Sequence, residues 1–379
     1  MLMFFSDTMV ITQEKKSYKV LLELLRVAIG NANSVTYSPK NVNWQEVIDI
    51  SLKQGVLAVA FDAFTHLPKS YCPKGDMFFK WFGSVIAMEK QYQLYCEAIK
   101  ELANITERLN LKMMVLKGLG CSLNYPKPYL RPCGDIDVFI MDYAGKHSCK
   151  QSHFFETCIC KKEETQVIYK NGHHSQFIFK KFLVENHSTI LDIEAHKYSV
   201  WLNNLLEERA ILCKQVLVDD SLIWVPSNNF NSIHLLRHMA SDFASVRTSL
   251  RHVLDWSTFV SKNDVDWKFV FEVAHKTNMH YFLNVLNSIC VHYLGYPAEM
   301  FLIENRNEKL EQRVLNEILN CVDAVDMPHG NLSITKKIKY GFYKSRRMWR
   351  NRWKYQIVYD EKLFDSFWWK VKYGFKHLF

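Results

Sequence analysis

No run of 18 apolar residues occurs in the 379-residue sequence, so nothing in it is long and greasy enough to span a membrane as a helix. The opening Met1-Leu2-Met3-Phe4-Phe5 is too short for a signal-peptide core and lacks a basic lead-in, which gives the expectation of a cytoplasmic protein. None of the ten cysteines forms a Cys-x-x-Cys pair. Scattered thiols in a large chain behave as small hydrophobes in a reducing compartment. Their densest patch (His147, Cys149, His153, Cys158, Cys160) fits no standard zinc spacing. Internal repeats and low-complexity tracts are also missing. Acidic residues are absent from one stretch, Lys336 to Lys354, which carries nine basic residues and so equals the net charge of +9 of the whole chain.

What is present is ordinary globular composition, 48% hydrophobic, in a length that allows two or three domains or one domain with a helical extension. Up to about Asn110, apolar residues recur at three and four over Tyr18 to Ile29, Trp44 to Leu67 and Lys80 to Leu109, broken by Pro39, Pro68 and Pro73. Residues 1–110 therefore read as a helical region. Strand-like segments fall within 111–200, including Gln176 to Phe182, with a helix-bearing insertion from Gly145 to Asn171. Helices return over 201–304, where Asn231 to Ala240 and Leu250 to Val260 form a pair by pattern. The last stretch, 305–379, is a basic tail interleaved with Trp349, Trp353, Trp368 and Trp369. Such a tail suits an anionic membrane face or an anionic acceptor, and equally an amphipathic helix whose aromatics pack inward. It is no firm sign of nucleic acid. The expected fold class is α+β, a small mixed β-sheet palm flanked by N-terminal and C-terminal helical regions.

The chemistry concentrates in Arg131-Pro132-Cys133-Gly134-Asp135-Ile136-Asp137-Val138-Phe139-Ile140. Side chains alternate along a strand, so Asp135 and Asp137 share one face, their Cα atoms about 6.6 Å apart. That separation suits oxygen ligands converging on Mg²⁺ or Mn²⁺. Two adjacent like charges are costly to bury without a cation. A strand end with both acids in solvent is the competing reading. Upstream, Leu111 to Leu116 is an apolar run that stops at Lys117-Gly118, a glycine turn before a short helix, where backbone N–H groups and Lys117 can face a phosphate. Downstream, Thr189 to His196 looks like a further strand, with Asp192, Glu194 and His196 on one face.

Leu116-Lys117-Gly118, Tyr125-Pro126, Arg131-Pro132-x-Gly134-Asp135-Ile136-Asp137, Glu194-Ala195-His196 and the Arg251-x-x-x-Asp255 helix resemble, in the same order, a branch of the DNA polymerase β-like nucleotidyltransferase superfamily. It is the family of uncharacterised nucleotidyltransferases of bacterial genomes, often encoded beside surface-polysaccharide genes. The resemblance runs from about Leu111 to Phe259. It departs from the superfamily where Leu119 follows Gly118 in place of Ser or Gly. The resemblance implies Asp135, Asp137 and Glu194 as catalytic carboxylates on the metal, with Asp192 as the other candidate for the third acid. It implies Lys117, Gly118, Arg131, Gly134, Arg251 and Asp255 around a nucleoside triphosphate such as ATP. One of Glu194 and Asp192 is expected within metal-bridging reach of the pair. Arg251 and Asp255, one helical turn apart, are expected to pair with each other or to face the cleft. The acceptor (sugar, lipid-linked glycan or protein) is open, as is peripheral contact with an anionic membrane through 336–379. Two other functions fit parts of the sequence: a nucleotide-binding protein without turnover, and a HEPN-like ribonuclease using Arg247-x-x-x-x-His252.

Overall fold

The computed structural model describes residues 3–170, 172–193, 196–245, 248–320 and 349–362, with single positions 335, 342 and 346. The three-and-four periodicity of the N-terminal third folds as α1 (Met3–Ala28), α2 (Trp44–Lys53), α3 (Leu57–Asp62) and the 33-residue α4 (Asp76–Arg108). Asn43 starts α2 by accepting the backbone N–H of Glu46 at 3.3 Å, satisfying a donor the helix cannot. The chain then enters strand β1 (Lys112–Val115), the single-turn helix α5 (Leu119–Ser122) and strand β2 (Ile136–Met141). Helix α6 (Cys149–Lys162) fills the expected insertion before β3 (Tyr169–Lys170), β4 (His174–Phe179) and β5 (Phe182–His187). Helix α7 (Ser199–Ala210) is followed by β6 (Lys214–Val218) and β7 (Ser221–Val225). The remaining elements are α8 (Asn228–Ser245), α9 (Leu250–Lys262), α10 (Trp267–Lys276), α11 (His280–Leu294), α12 (Glu308–Leu319) and α13 (Arg352–Tyr359).

The strands form one mixed sheet in the order β3-β4-β5-β2-β1-β7-β6. Strands β1 and β2 run antiparallel, while β2 with β5 and β1 with β7 run parallel. The α+β expectation holds, and the sheet is larger than its sequence signal. Gln176 to Phe182, read as one strand, is strand as far as Phe179 and then reverses at Lys180-Lys181 into β5. Phe179 faces Phe182 across Lys180-Lys181, and Lys180 takes a left-handed φ of 53°. The stretch expected to be wholly helical over 201–304 also contributes the β6–β7 hairpin, which extends the sheet beyond β1.

Alternation along β2 sorts its residues between two cores. Ile136, Val138 and Ile140 face Tyr95, Ile99 and Leu102 of α4 and Phe155 of α6. Phe139 and Met141 face the larger helical core, which joins α1 to α3 with α8 to α12. The N-terminal helices and those after the sheet thus share one interior. Arg26 Nε donates to the Tyr293 carbonyl at 2.7 Å, and Gln54 Nε2 to that of Ile318 at 3.0 Å. Asp137 lies on the face of β2 that looks toward these helices.

Most of 336–379, including Trp368 and Trp369, lies outside the described residues. Of those described, Trp349 is 56% exposed beside exposed Arg346 and Arg350. Trp353 is half-buried against Phe243 and under the Arg313 guanidinium, and Lys354 is buried with its ammonium 2.6 Å from Glu317. Among the described residues no helix is long and apolar enough to cross a membrane.

Candidate active site

Strand β1 ends at Val115, and the chain turns sharply at Gly118, which has φ +50°. A Cβ there would stand 2.0 Å from the hydroxyl of Tyr95, a fully buried ring of α4. That hydroxyl donates to the backbone carbonyl of Asp135 at 3.0 Å. One glycine thereby lets a helix hold the entry to β2 in place. Gly118→Ala should cost roughly 2–4 kcal/mol, through both the positive φ and the clash. A urea midpoint in the Tyr95→Phe background should show part of that loss recovered, because the obstructing oxygen is gone.

Asp137 is the second residue of β2 and is 8% exposed, while Asp135 precedes the strand and is exposed. Strand β5 brings a further carboxylate to the same face. Parallel pairing sets Asp137 directly opposite Glu185, so both project from the same face of the sheet. The expectation of a third strand over Thr189 to His196 is corrected: β5 ends at His187, and residues 188–193 are in no strand. Asp192 sits in that stretch and lines a separate, smaller cavity, and Glu194 lies outside the described residues. His196 is buried away from the acids, its Nε2 2.9 Å from Glu361 and its ring stacked on Tyr359.

Asp135, Asp137 and Glu185 open onto a cavity of about 610 Å³, a size that suits a nucleotide. Ligand atoms of Asp137, Glu185 and His187 lie within 4.8 Å of one another. Hard carboxylate oxygens at that spacing fit a divalent cation such as Mg²⁺. Electrostatics agree. Partial burial, then the neighbouring charges of Glu185 and Asp137, raise the Asp135 carboxyl above its ordinary range. Burial would raise Asp137 too, but Lys117 and the His187 hydrogen bond override it and hold it well below that range. Lys117 Nζ stands 3.3 Å from Asp137 Oδ1, and His187 Nε2 donates to the same oxygen at 3.0 Å. Residues of the zinc-like patch around His147 fall in no such cluster among the described residues.

Of the two expected arrangements of Arg251 and Asp255, pairing with each other gives way to an Arg131–Asp255 pair, while both residues line the cavity. Arg131 Nε and Nη2 donate to the two oxygens of Asp255 at 2.7 and 2.9 Å, and the Tyr125 hydroxyl adds a third bond at 2.8 Å. The guanidinium of Arg131 is thus engaged as a brace between the β2 entry and α9. Arg251 is left to the cavity: its Nε is buried without a hydrogen-bond partner, and its stem lies against Gly55. Gln54 anchors this end of α9 by accepting the Leu250 and Arg251 backbone N–H groups at 2.8 and 3.1 Å. Gly118 and Gly134 also line the cavity.

Asp242 of α8, which carried no sequence signal beyond an amphipathic helix, faces the same space. Its Oδ2 lies 3.5 Å from His238 Nε2 and 3.7 Å from His252 Nε2. These three groups could bridge a cation by spacing. However, the Ser249 backbone N–H donates to His252 Nδ1 at 3.1 Å, so the neutral ring turns an N–H, not a lone pair, toward Asp242. Burial raises the Asp242 carboxyl to about 6, against the pull of Lys117 and Arg251. A carboxyl whose folded pKa is raised loses folded-state stability as pH climbs from the ordinary carboxylate range through 6. In chelated buffer, Asp242→Asn should therefore match wild type near pH 4 and exceed it by about 2–3 kcal/mol above pH 7, read by denaturant melts across pH. Arg247, of the ribonuclease pattern, lies outside the described residues, and His252 serves as a cap of α9.

Residues 40–295 match the model of a family described as uncharacterised nucleotidyltransferase. No curated protein matches the chain. A solved structure described as an antigenic nucleotidyltransferase-like protein from Paracoccidioides brasiliensis aligns at 13% identity with a TM-score of 0.33, covering 50% of this chain and 90% of that one. The family match takes in β1, β2 and β5 and both helices that face the cavity, well over half of the 379 residues. By that match the chain belongs to the uncharacterised nucleotidyltransferase family.

Proposed function

We propose that this protein moves a nucleoside monophosphate from a Mg²⁺-bound nucleoside triphosphate, such as ATP, to a hydroxyl-bearing acceptor, in the manner of the DNA polymerase β-like superfamily. The acceptor oxygen attacks the α-phosphorus as its proton passes to a carboxylate of the site or to water, the bond to the α,β-bridging oxygen breaks, and pyrophosphate leaves. A divalent cation, when bound, neutralises the charge that develops on the phosphates. The observation that carries this reading is the register of β2 on β5, which sets Glu185 beside Asp137 with Asp135 at the cavity mouth. Asp135, Asp137 and Glu185 are proposed as the metal-holding carboxylates. Lys117 sits on Asp137 without a cation and is placed to swing to a phosphate oxygen when one arrives. Arg251 is proposed as the second phosphate contact, since a buried Nε without a partner is costly until an anion meets it. Arg131 and Asp255 position α9 and so aim Arg251.

Calorimetry with ATP should show binding that needs Mg²⁺ or Mn²⁺ and disappears with chelator. Pyrophosphate release in lysate-supplemented reactions should follow the same dependence. Metal-independent ATP binding would remove the proposal. Metal-dependent binding without any pyrophosphate release would leave a nucleotide-binding protein without turnover. Surface-polysaccharide acceptors remain within the proposal, and labelled product from each triphosphate identifies both donor and acceptor.

A further inference from the structure

Behind the Asp137–Lys117 contact lies a second cavity of about 120 Å³. It shares the side chains of Lys117, His238 and Asp242 with the nucleotide-sized cavity, so the two meet at that wall. Water needs on the order of 10–15 Å³ per molecule in such a space, so several waters or a small organic group fit. Its lining mixes the polar groups of His187, His234, Asp192, Arg237 and Ser241 with the short apolar edge of Ile190 and Leu191.

Two of these side chains hold ring nitrogens with no partner. His187 and His234 are 4% and 3% exposed, and Nδ1 of each is buried without a hydrogen bond. Nε2 of His187 is taken by the Asp137 carboxylate, which leaves Nδ1 as the ring nitrogen without a partner. A hydroxyl, which can both donate and accept, would satisfy it. Burial, then Lys117, hold the His234 ring neutral, lowering it to about 3, so its two nitrogens offer one donor and one acceptor. Leaving such atoms unmatched costs about 1–3 kcal/mol each.

We propose that this small cavity is the acceptor site, and that it takes the hydroxyl-rich end of a polyol or sugar. The inference rests on the nucleotide reading of the neighbouring cavity. Hydroxyl groups both donate and accept, so a polyol reproduces the hydrogen bonds of the waters it displaces. Asp192 and Asp242 line the space together with Lys117 and Arg237, two acids against two cations, so the wall carries no net charge that would select an ion and suits a neutral polar ligand. A hydroxyl there would reach the nucleotide-sized cavity at the shared wall of Lys117, His238 and Asp242. The acceptor class is then a small neutral hydroxyl compound or the exposed sugar of a larger glycan.

The test uses the full chain with ¹⁵N-labelled histidine and glycerol, D-ribose and D-glucose as probes. At least one should shift the His187 and His234 ring-nitrogen resonances and stimulate pyrophosphate release from Mg²⁺–ATP. His234→Phe, which fills the cavity and removes a partner, should raise the KM for that compound about tenfold or more, the loss expected for one buried hydrogen bond. Its Kd for Mg²⁺–ATP should stay unchanged. If Mg²⁺–ATP binds normally but no probe shifts the resonances or becomes labelled, the cavity holds water alone and the inference fails. If Mg²⁺–ATP does not bind, the nucleotide reading fails, while the resonance shifts still report polyol binding independently. His234→Gln, which keeps a polar group, is the second variant should the phenylalanine fail to fold.

Discussion

Asp135→Asn and Asp137→Asn should each lower nucleotidyl transfer by about a hundredfold or more, yet shift the stability of the metal-free protein in opposite directions. Both remove a charge that the cation needs, and a lost electrostatic contact to the developing phosphate charge is worth on that order. Their surroundings differ. Asp135 is destabilised in its ionised form by burial and by the adjacent Glu185 and Asp137 charges, so asparagine relieves a repulsion and should leave the apoprotein slightly more stable at neutral pH. Asp137 is held ionised by Lys117 and His187, and asparagine strands that buried ammonium at a cost of roughly 2–3 kcal/mol. The Asp137 contribution has a pH signature. Its folded pKa is depressed, so the stabilisation is present above the ordinary carboxylate range near 4 and fades as pH falls below it. Thermal melts with chelator should show the Asp137→Asn deficit in full at pH 7 and still mostly present at pH 3, because the folded pKa lies well below that pH. Two variants equally dead yet moving Tm the same way would argue that the carboxylates are not arranged around a shared cation site.

The second large effect belongs to the Arg131–Asp255 brace. Both side chains are buried, and Tyr125 adds its hydroxyl to the same carboxylate. Arg131→Met or Asp255→Leu should each cost about 3–5 kcal/mol, because either change leaves the other charge buried and alone. The double variant should recover most of that loss, since removing both charges removes the mismatch. A double-mutant cycle on urea midpoints measures the coupling directly, and additive losses would show that the two side chains do not act as a pair. Asp255 itself is pushed up by burial but held below its ordinary range by Arg131, so the bridge should weaken only on strong acidification.

Much of the site is legible in the sequence because it is local. Asp135-x-Asp137 shares a strand end, Gly118 punctuates β1, and their roles follow from alternation and turn chemistry alone. Glu185 was missed for a different reason. Its place beside Asp137 depends on which residue of β5 lies opposite which residue of β2, a pairing across nearly fifty positions that no local period records. Asp192-x-Glu194-x-His196 offers a clearer alternating pattern, but β5 ends at His187, before it begins, and Glu194 itself lies outside the described residues. The β4–β5 hairpin was hidden too, because its Lys180-Lys181 tip lacks the glycine, asparagine or proline that usually marks a reversal. Arg251 and Asp255 show the same limit on a helix. Spacing made them neighbours, and a loop arginine from outside the helix supplied the better geometry.

The hairpin has a consequence for which length changes this family can carry. Because Phe182 to His187 alternate between two faces, inserting or deleting one residue at the Lys180-Lys181 tip while β4 stays paired moves β5 by one position. Glu185 would then turn toward the α4 core, and Val184 or Asn186 would meet the cavity. The connection between α6 and β3 carries no such constraint, since residues added there leave the strand pairings untouched. Related chains should therefore vary freely in length near residues 163–168 and hold an invariant count from His174 to His187.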